Sequence, residues 1–115
     1  MSKQDNSIDR LSLLQGSLHL LVLRVLASGP MHGYGISRRL LELSGEWLQV
    51  DEGSLYPCLY RMEKRAWISS DLRLSENNRK ARYYSLTDEG VSQLAQEIGN
   101  WSNFQRVVQG ILKRA

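Results

Sequence analysis

Apolar residues in this chain recur at three- and four-residue steps almost everywhere, and they change to alternation in a single stretch, residues 67–86. There Ile68, Ser70, Leu72 and Leu74 alternate with Trp67, Ser69, Asp71 and Arg73, the two-residue period of a strand. Ser75-Glu76-Asn77-Asn78-Arg79-Lys80 follows as a turn, because paired asparagines tolerate positive φ. Arg82 to Leu86 returns as a second strand, with Tyr84 and Leu86 on its inner face and Tyr83 outward. One β-hairpin with a basic tip is therefore set among helices.

The helical period accounts for the rest. A first helix is predicted from about Leu13 to Ser28, stopped by Gly29-Pro30. Leu14, Leu18, Leu21, Val22, Val25 and Leu26 form its stripe, and Leu20 and Leu23 extend the apolar surface around most of the circumference. Such a helix is buried on more than one side, which in a chain of 115 residues suggests that a second copy covers part of it. A second helix spans about Tyr34 to Ser44, with Ile36, Leu40, Leu41 and Leu43 inward and Arg38 and Arg39 outward. A third spans about Ser54 to Arg65, with Leu55, Leu59 and Met62 inward. Pro57 is compatible with it if Ser54 lies near the cap. After the hairpin, Thr87 is a good N-cap, and Asp88 and Glu89 suit the positive end of a helix dipole. Val91, Leu94, Ile98, Trp101, Phe104, Val108 and Ile111 then form a stripe long enough to outrun the small domain beside it. Residues 1–10 are expected to be a flexible polar arm.

Helix, helix, helix, hairpin, long helix is the layout of a winged helix-turn-helix followed by a dimerisation helix, a mainly α fold with a small β-hairpin. The expected division is an arm over 1–10, a DNA-binding domain over 11–87 and a C-terminal dimerisation helix over 88–115. The net charge is only +3, but residues 53–82 hold seven bases and three acids, and the remainder is close to balanced. That basic segment is the third helix and the hairpin, the two parts that would meet a major groove and a neighbouring phosphate or minor groove.

On the third helix Ser54, Tyr56, Tyr60, Arg61 and Lys64 lie off the apolar stripe or at its border and are candidate phosphate or base contacts. On the wing the candidates are Asn78, Arg79, Lys80 and Arg82. His32 and Tyr34 lie in His32-Gly33-Tyr34-Gly35, which is a simple turn or a second approach to phosphate. Solvation of an amphipathic helix explains Arg61, Lys64 and Arg65 taken alone; the basic wing beside them tips the balance toward double-stranded DNA. Leu14, Leu18, Leu21, Leu94, Ile98, Trp101 and Val108 are the candidate dimer seam, and Trp101 and Phe104 a tentative platform for a small aromatic effector.

The sequence offers nothing catalytic. Two histidines and one cysteine exclude a disulfide framework and leave no evident zinc set, and no cofactor is expected. Cys58 is expected to pack as a small apolar residue. Residues 11–27 are broken by Gln15, His19 and Arg24 and fall short of a membrane span. With no secretory leader in the polar N-terminus, a cytoplasmic protein is expected. A winged-helix module that binds protein rather than an operator is the alternative.

The chain also resembles the PadR-like transcriptional regulators of bacteria. Leu13-Leu14-Gln15-Gly16-Ser17-Leu18, Gly29-Pro30-Met31-His32-Gly33-Tyr34-Gly35-Ile36 and Glu52-Gly53-Ser54-Leu55-Tyr56-Pro57 carry the resemblance. Leu59-Tyr60-Arg61-Met62-Glu63, Arg82-Tyr83-Tyr84-Ser85-Leu86-Thr87 and Gly90 continue it over about residues 11–112. The resemblance implies a homodimer in which the C-terminal helix packs with the partner's first helix. It also implies a near-palindromic operator, most often bound in repression, and in some relatives release by an aromatic ligand near the interface. A single helix after the wing matches the short-tailed branch of that family. Cys58 stands where a small residue such as alanine is common.

Overall fold

The computed structural model describes the backbone of residues 5–115 and the side chains of residue 14 and residues 16–115. The elements run α1 (Asp5–Leu26), β1 (Met31–His32), α2 (Gly33–Leu43), α3 (Glu52–Lys64), β2 (Ile68–Leu74), β3 (Lys80–Leu86) and α4 (Asp88–Arg114). The strands form one antiparallel sheet in the order β1-β3-β2.

Residues 1–4 of the expected arm lie outside the described residues, and from Asp5 the backbone is already helical. The backbone of residues 5–10 is thus part of α1. The spacing of Ile8, Leu11, Leu14 and Leu18 runs the helical period back into that segment, so nothing in the pattern stops the helix at residue 13.

The core is built where α1, α2 and α3 converge over the root of the hairpin. Val22, Leu23, Ile36, Leu55, Leu59, Met62 and Ile68 are fully enclosed there. Leu14 and Leu18 join this same cluster. In the single chain both are buried, and Leu14 also borders the open groove lined by Trp101 and Phe104. Cys58 is in the core too. Its sulfur lies 3.5 Å from that of Met62, and burial pushes its thiol up to about 11. At neutral pH it remains a protonated packing group with little thiolate to react. Leu43, expected inward, is exposed at the end of α2.

The hairpin obeys its predicted parity. Ile68 pairs with Leu86 and Ser70 with Tyr84, and Tyr84 is buried. Asn78 takes the positive φ, 62°, at the tip. The second strand begins at Lys80 rather than Arg82. Its register continues to Leu74 opposite Lys80, but Leu72 and Leu74 find no core beneath them and stay exposed.

His19 lies on α1, its Nε2 buried with no hydrogen-bond partner and its ring meeting Trp67 edge-on at 6.0 Å. Burial pulls the imidazole below its ordinary 6.5; Glu97 opposes this, and Arg61 and Arg65 reinforce it. A histidine depressed in the folded state favours folding fully above pH 6.5, and that contribution is lost as pH falls through its lowered value. Melting temperature should therefore drop between pH 7.5 and 5, and the drop should be shallower in His19→Phe. Equal slopes in the two proteins would remove His19 from the acid sensitivity.

Candidate nucleic-acid interface

The site begins at β1, which the sequence analysis missed. Two residues are too short to show a period, yet Met31 pairs with Tyr84 and His32 with Tyr83. This fixes His32 as the N-cap of α2, where its Nδ1 accepts the Gly35 amide at 2.9 Å. The His32 ring also meets Tyr83 edge-on at 5.2 Å. His32 is thus placed as a cap, while Tyr34 projects into solvent at the first turn of α2.

Gly33 explains how α2 and α3 come together. A Cβ at Gly33 would lie 2.3 Å from the Tyr56 hydroxyl and 2.7 Å from its Cζ. The missing side chain is the room in which the Tyr56 phenol rests, with its outer part still exposed.

α3 starts two residues earlier than the sequence suggested. Asp51 is the cap, its carboxylate accepting the Ser54 amide at 2.9 Å, and Glu52 occupies the first turn. Pro57 therefore lies in the second turn, not the first. It has no amide to give Gly53, and exposed Gly53 leaves that carbonyl to water. With Leu55, Cys58, Leu59 and Met62 buried, the helical period puts Gly53, Pro57, Tyr60 and Lys64 along the outermost ridge. The Lys64 ammonium sits 5.3 Å from the Tyr60 ring centroid. Tyr56 and Glu63 flank this ridge on the wing side. Ser54 and Arg61 flank it on the α1 side, where Arg65 lies over Trp67 at 5.2 Å. Gly53 and Pro57 are not among the candidate contacts read from the sequence; the four- and three-residue steps away from the apolar stripe are the signal that places them on the ridge.

Beyond the ridge the wing projects. Its loop is closed by the Ser75 amide donating to the Arg79 carbonyl at 2.7 Å and the Asn78 amide to the Ser75 carbonyl at 2.9 Å. Asn78, Arg79, Lys80 and Arg82 are exposed. The Arg82 guanidinium donates to the Ser70 hydroxyl at 3.0 Å, which uses one of its five N–H groups. An open cleft separates the wing from the start of α2, and Arg38 and Arg39 line it opposite Arg79, Lys80 and Arg82. Only Glu42 and Glu76 offset those five bases within it. The sequence marks Arg38 and Arg39 only as outward residues of the second helix. Their share in the cleft depends on a fold that brings residue 38 beside residue 80. Tyr34, Arg38, the α3 ridge and the wing tip thus surround one basic surface, suited to a phosphate backbone beside a groove.

On the other side of the molecule α4 runs for 27 residues with only Gly90 buried. Of the expected seam, Leu21 and Leu94 are half-buried against the core, Val108 is half-buried, and Ile98 and Trp101 are each 45% exposed. Trp101 and Phe104 lie with ring centroids 6.2 Å apart, along an open apolar groove shared with Leu20, Leu21 and Trp47.

Among the described residues no group of three or more histidine, cysteine or acidic side chains could hold a metal, and no helix is long and apolar enough to cross a membrane.

Comparison with known proteins points the same way. The family model described as the transcriptional regulator PadR-like family matches residues 22–96. A PadR-like transcriptional regulator from Bacillus cereus is 31% identical, with a TM-score of 0.76 over 90% of this chain and 99% of that one. A PadR family transcriptional regulator from Eggerthella lenta is 27% identical, with a TM-score of 0.81 over 95% and 93%. A transcriptional regulator from Clostridium thermocellum is 26% identical, with a TM-score of 0.79 over 86% and 96%.

Proposed function

Because the chain belongs to the PadR-like family of transcriptional regulators, we propose that it works as a homodimeric repressor on a near-palindromic operator. Family and structural neighbours are regulators of transcription, not enzymes. The observation that carries the finer reading is the basic surface around the α3 ridge. A groove-reading helix stands between two phosphate-contacting flanks, α2 with Arg38 and the wing with Arg79 and Lys80.

Tyr60 and Lys64 are assigned to the groove, and Tyr34, Tyr56 and the bases of the cleft to phosphates. Ser54 and Arg61 reach the backbone on the opposite flank. A single protomer offers one such helix, which reads one half-site. The second copy docks on α4, whose stripe extends beyond the domain and is unpaired along most of its length. Trp101 and Phe104 are assigned to that seam rather than to an effector. Repression asks no more of the dimer than occupancy of its operator in the cytoplasm, where chromosomal DNA is found.

The wing supplies the direct test. Alanine at both Arg79 and Lys80 should weaken binding about tenfold to any sequence, and should lower the salt slope by roughly one to two units, as each lost phosphate contact releases fewer counterions. Gel shifts over a salt series, on a duplex selected from a random pool, read both quantities. An unchanged affinity and slope would take the wing out of the mechanism. Failure of the wild-type chain to select any duplex would favour the protein-binding module instead.

A further inference from the structure

The hairpin is anchored at its root and unsupported further out. Ile68 and Tyr84 are buried, whereas Leu72, Leu74, Lys80 and Arg82 on the same face are exposed. Between these two zones lies a short chain of hydrogen bonds. The Ser70 hydroxyl on β2 donates to the Glu63 carboxylate on α3 at 2.7 Å, and the Arg82 guanidinium on β3 donates to the same hydroxyl at 3.0 Å. The first of these bonds joins the hairpin to α3, and the second lies within the hairpin, between β3 and β2.

We propose that Glu63, Ser70 and Arg82 form a strut that sets the angle of the wing against the groove-reading helix. Glu63 is a positioning residue in this scheme, and the inference rests on the DNA-binding reading above. The chemistry fits the part. Ser70 supplies one donor and one acceptor, so it can bridge a carboxylate on one side and a guanidinium on the other. Both outer members are charged, which strengthens hydrogen bonds that are partly exposed to water. The strut also accounts for an acid on the flank of a helix that faces a polyanion. Charge alone would make Glu63 a liability there, yet its carboxylate is engaged with the wing. A wing held at a fixed angle delivers Arg79 and Lys80 to phosphates without first ordering the hairpin, which saves conformational entropy on binding.

Charge and strut predict opposite signs for Glu63→Ala. Removing a negative charge near DNA should tighten binding; removing the strut should loosen it. The experiment measures operator affinity of wild type, E63A, S70A and S70T on one selected duplex, together with amide exchange of the free proteins. Ser70→Ala changes no charge and should weaken binding about fivefold. E63A should weaken it as well, and S70T, which keeps the hydroxyl, should bind like wild type. In S70A the amides of residues 72–82 should exchange faster, with those of α1 unmoved. Adding S70A to the double wing substitution should cost less than it costs in the wild type, because the strut acts in large part through Arg79 and Lys80. Tighter binding by E63A would overturn the strut. So would unchanged affinity of S70A, or exchange that rises uniformly over the whole chain. If the wild-type chain binds no duplex, the DNA-binding reading itself fails and the strut fails with it; if wild type binds and S70A matches it, only the strut is lost.

Discussion

Gly90→Ala is expected to destabilise the protein by about 3 kcal/mol, because the new methyl has to displace backbone rather than a flexible side chain. A Cβ at residue 90 would lie 2.0 Å from the Trp67 carbonyl oxygen and 3.0 Å from its carbon. That carbonyl cannot swing away cheaply. It accepts the Thr87 amide at 3.1 Å; the Thr87 hydroxyl, whose one proton is shared between the Ala66 and Trp67 carbonyls, lies 3.0 Å away, while Thr87 Oγ1 in turn caps α4 by accepting the Gly90 amide at 3.0 Å. Shifting Trp67 would also disturb His19, which packs against it. For a chain of this size the loss corresponds to a fall in melting temperature on the order of 10 °C. Gly99→Ala is the matched control and should have the opposite sign. Nothing lies within 4 Å of a Cβ there, and the helical period turns Gly99 away from the apolar stripe. Alanine in an exposed helix interior gains about 1 kcal/mol over glycine. Thermal melts of the two variants followed by circular dichroism decide the matter, and equal shifts in both would refute the account of residue 90.

Trp101→Glu should dissociate the dimer and reduce operator affinity about a hundredfold or more, since two linked half-site contacts become two separate ones. α4 is roughly 40 Å long at the usual rise per residue. Along it Ile98, Trp101, Phe104 and Ile111 all remain substantially exposed in the single chain. An exposed apolar run of this kind marks an interaction surface. A carboxylate placed in its middle would be buried without a partner by the second copy, which is a large penalty for association. The substitution lies far from the α3 ridge, and the fold of each protomer should survive it. Sedimentation should therefore report a folded monomer, and gel shifts a lost complex. A Trp101→Glu protein that remained dimeric would move the seam elsewhere.

Much of this architecture can be read in the sequence, for reasons that differ by element. The long stripes of α1 and α4 and the alternation around Ser70 are periodic over enough residues to identify themselves. Asn78 announces its turn because few other side chains accept positive φ. The start of α3 is less legible. Asp51 and Ser54 are both good caps, and Pro57 pointed to the later one by suggesting a first-turn position, whereas an exposed Gly53 lets proline sit a turn further in. β1 is invisible because its definition is a pairing with residues more than fifty positions away. Periodicity also cannot say whose atoms cover a face. Leu14 and Leu18 complete the chain's own core, whereas Ile98 and Trp101 do not. In the site, residue types marked the wing bases and Tyr60, but Arg38 gained its place only from the cleft.

The Trp67 carbonyl is shared by the root of the wing and the first turn of α4. It ties the root of the wing to the N-cap of α4. A rotation of α4 at the seam would carry the wing along as a rigid elbow, so any signal that altered the pairing of two copies would change the distance between their wings while each wing kept its pose on its own recognition helix. Such a protein would respond to a stimulus as a pair of callipers does, by its span.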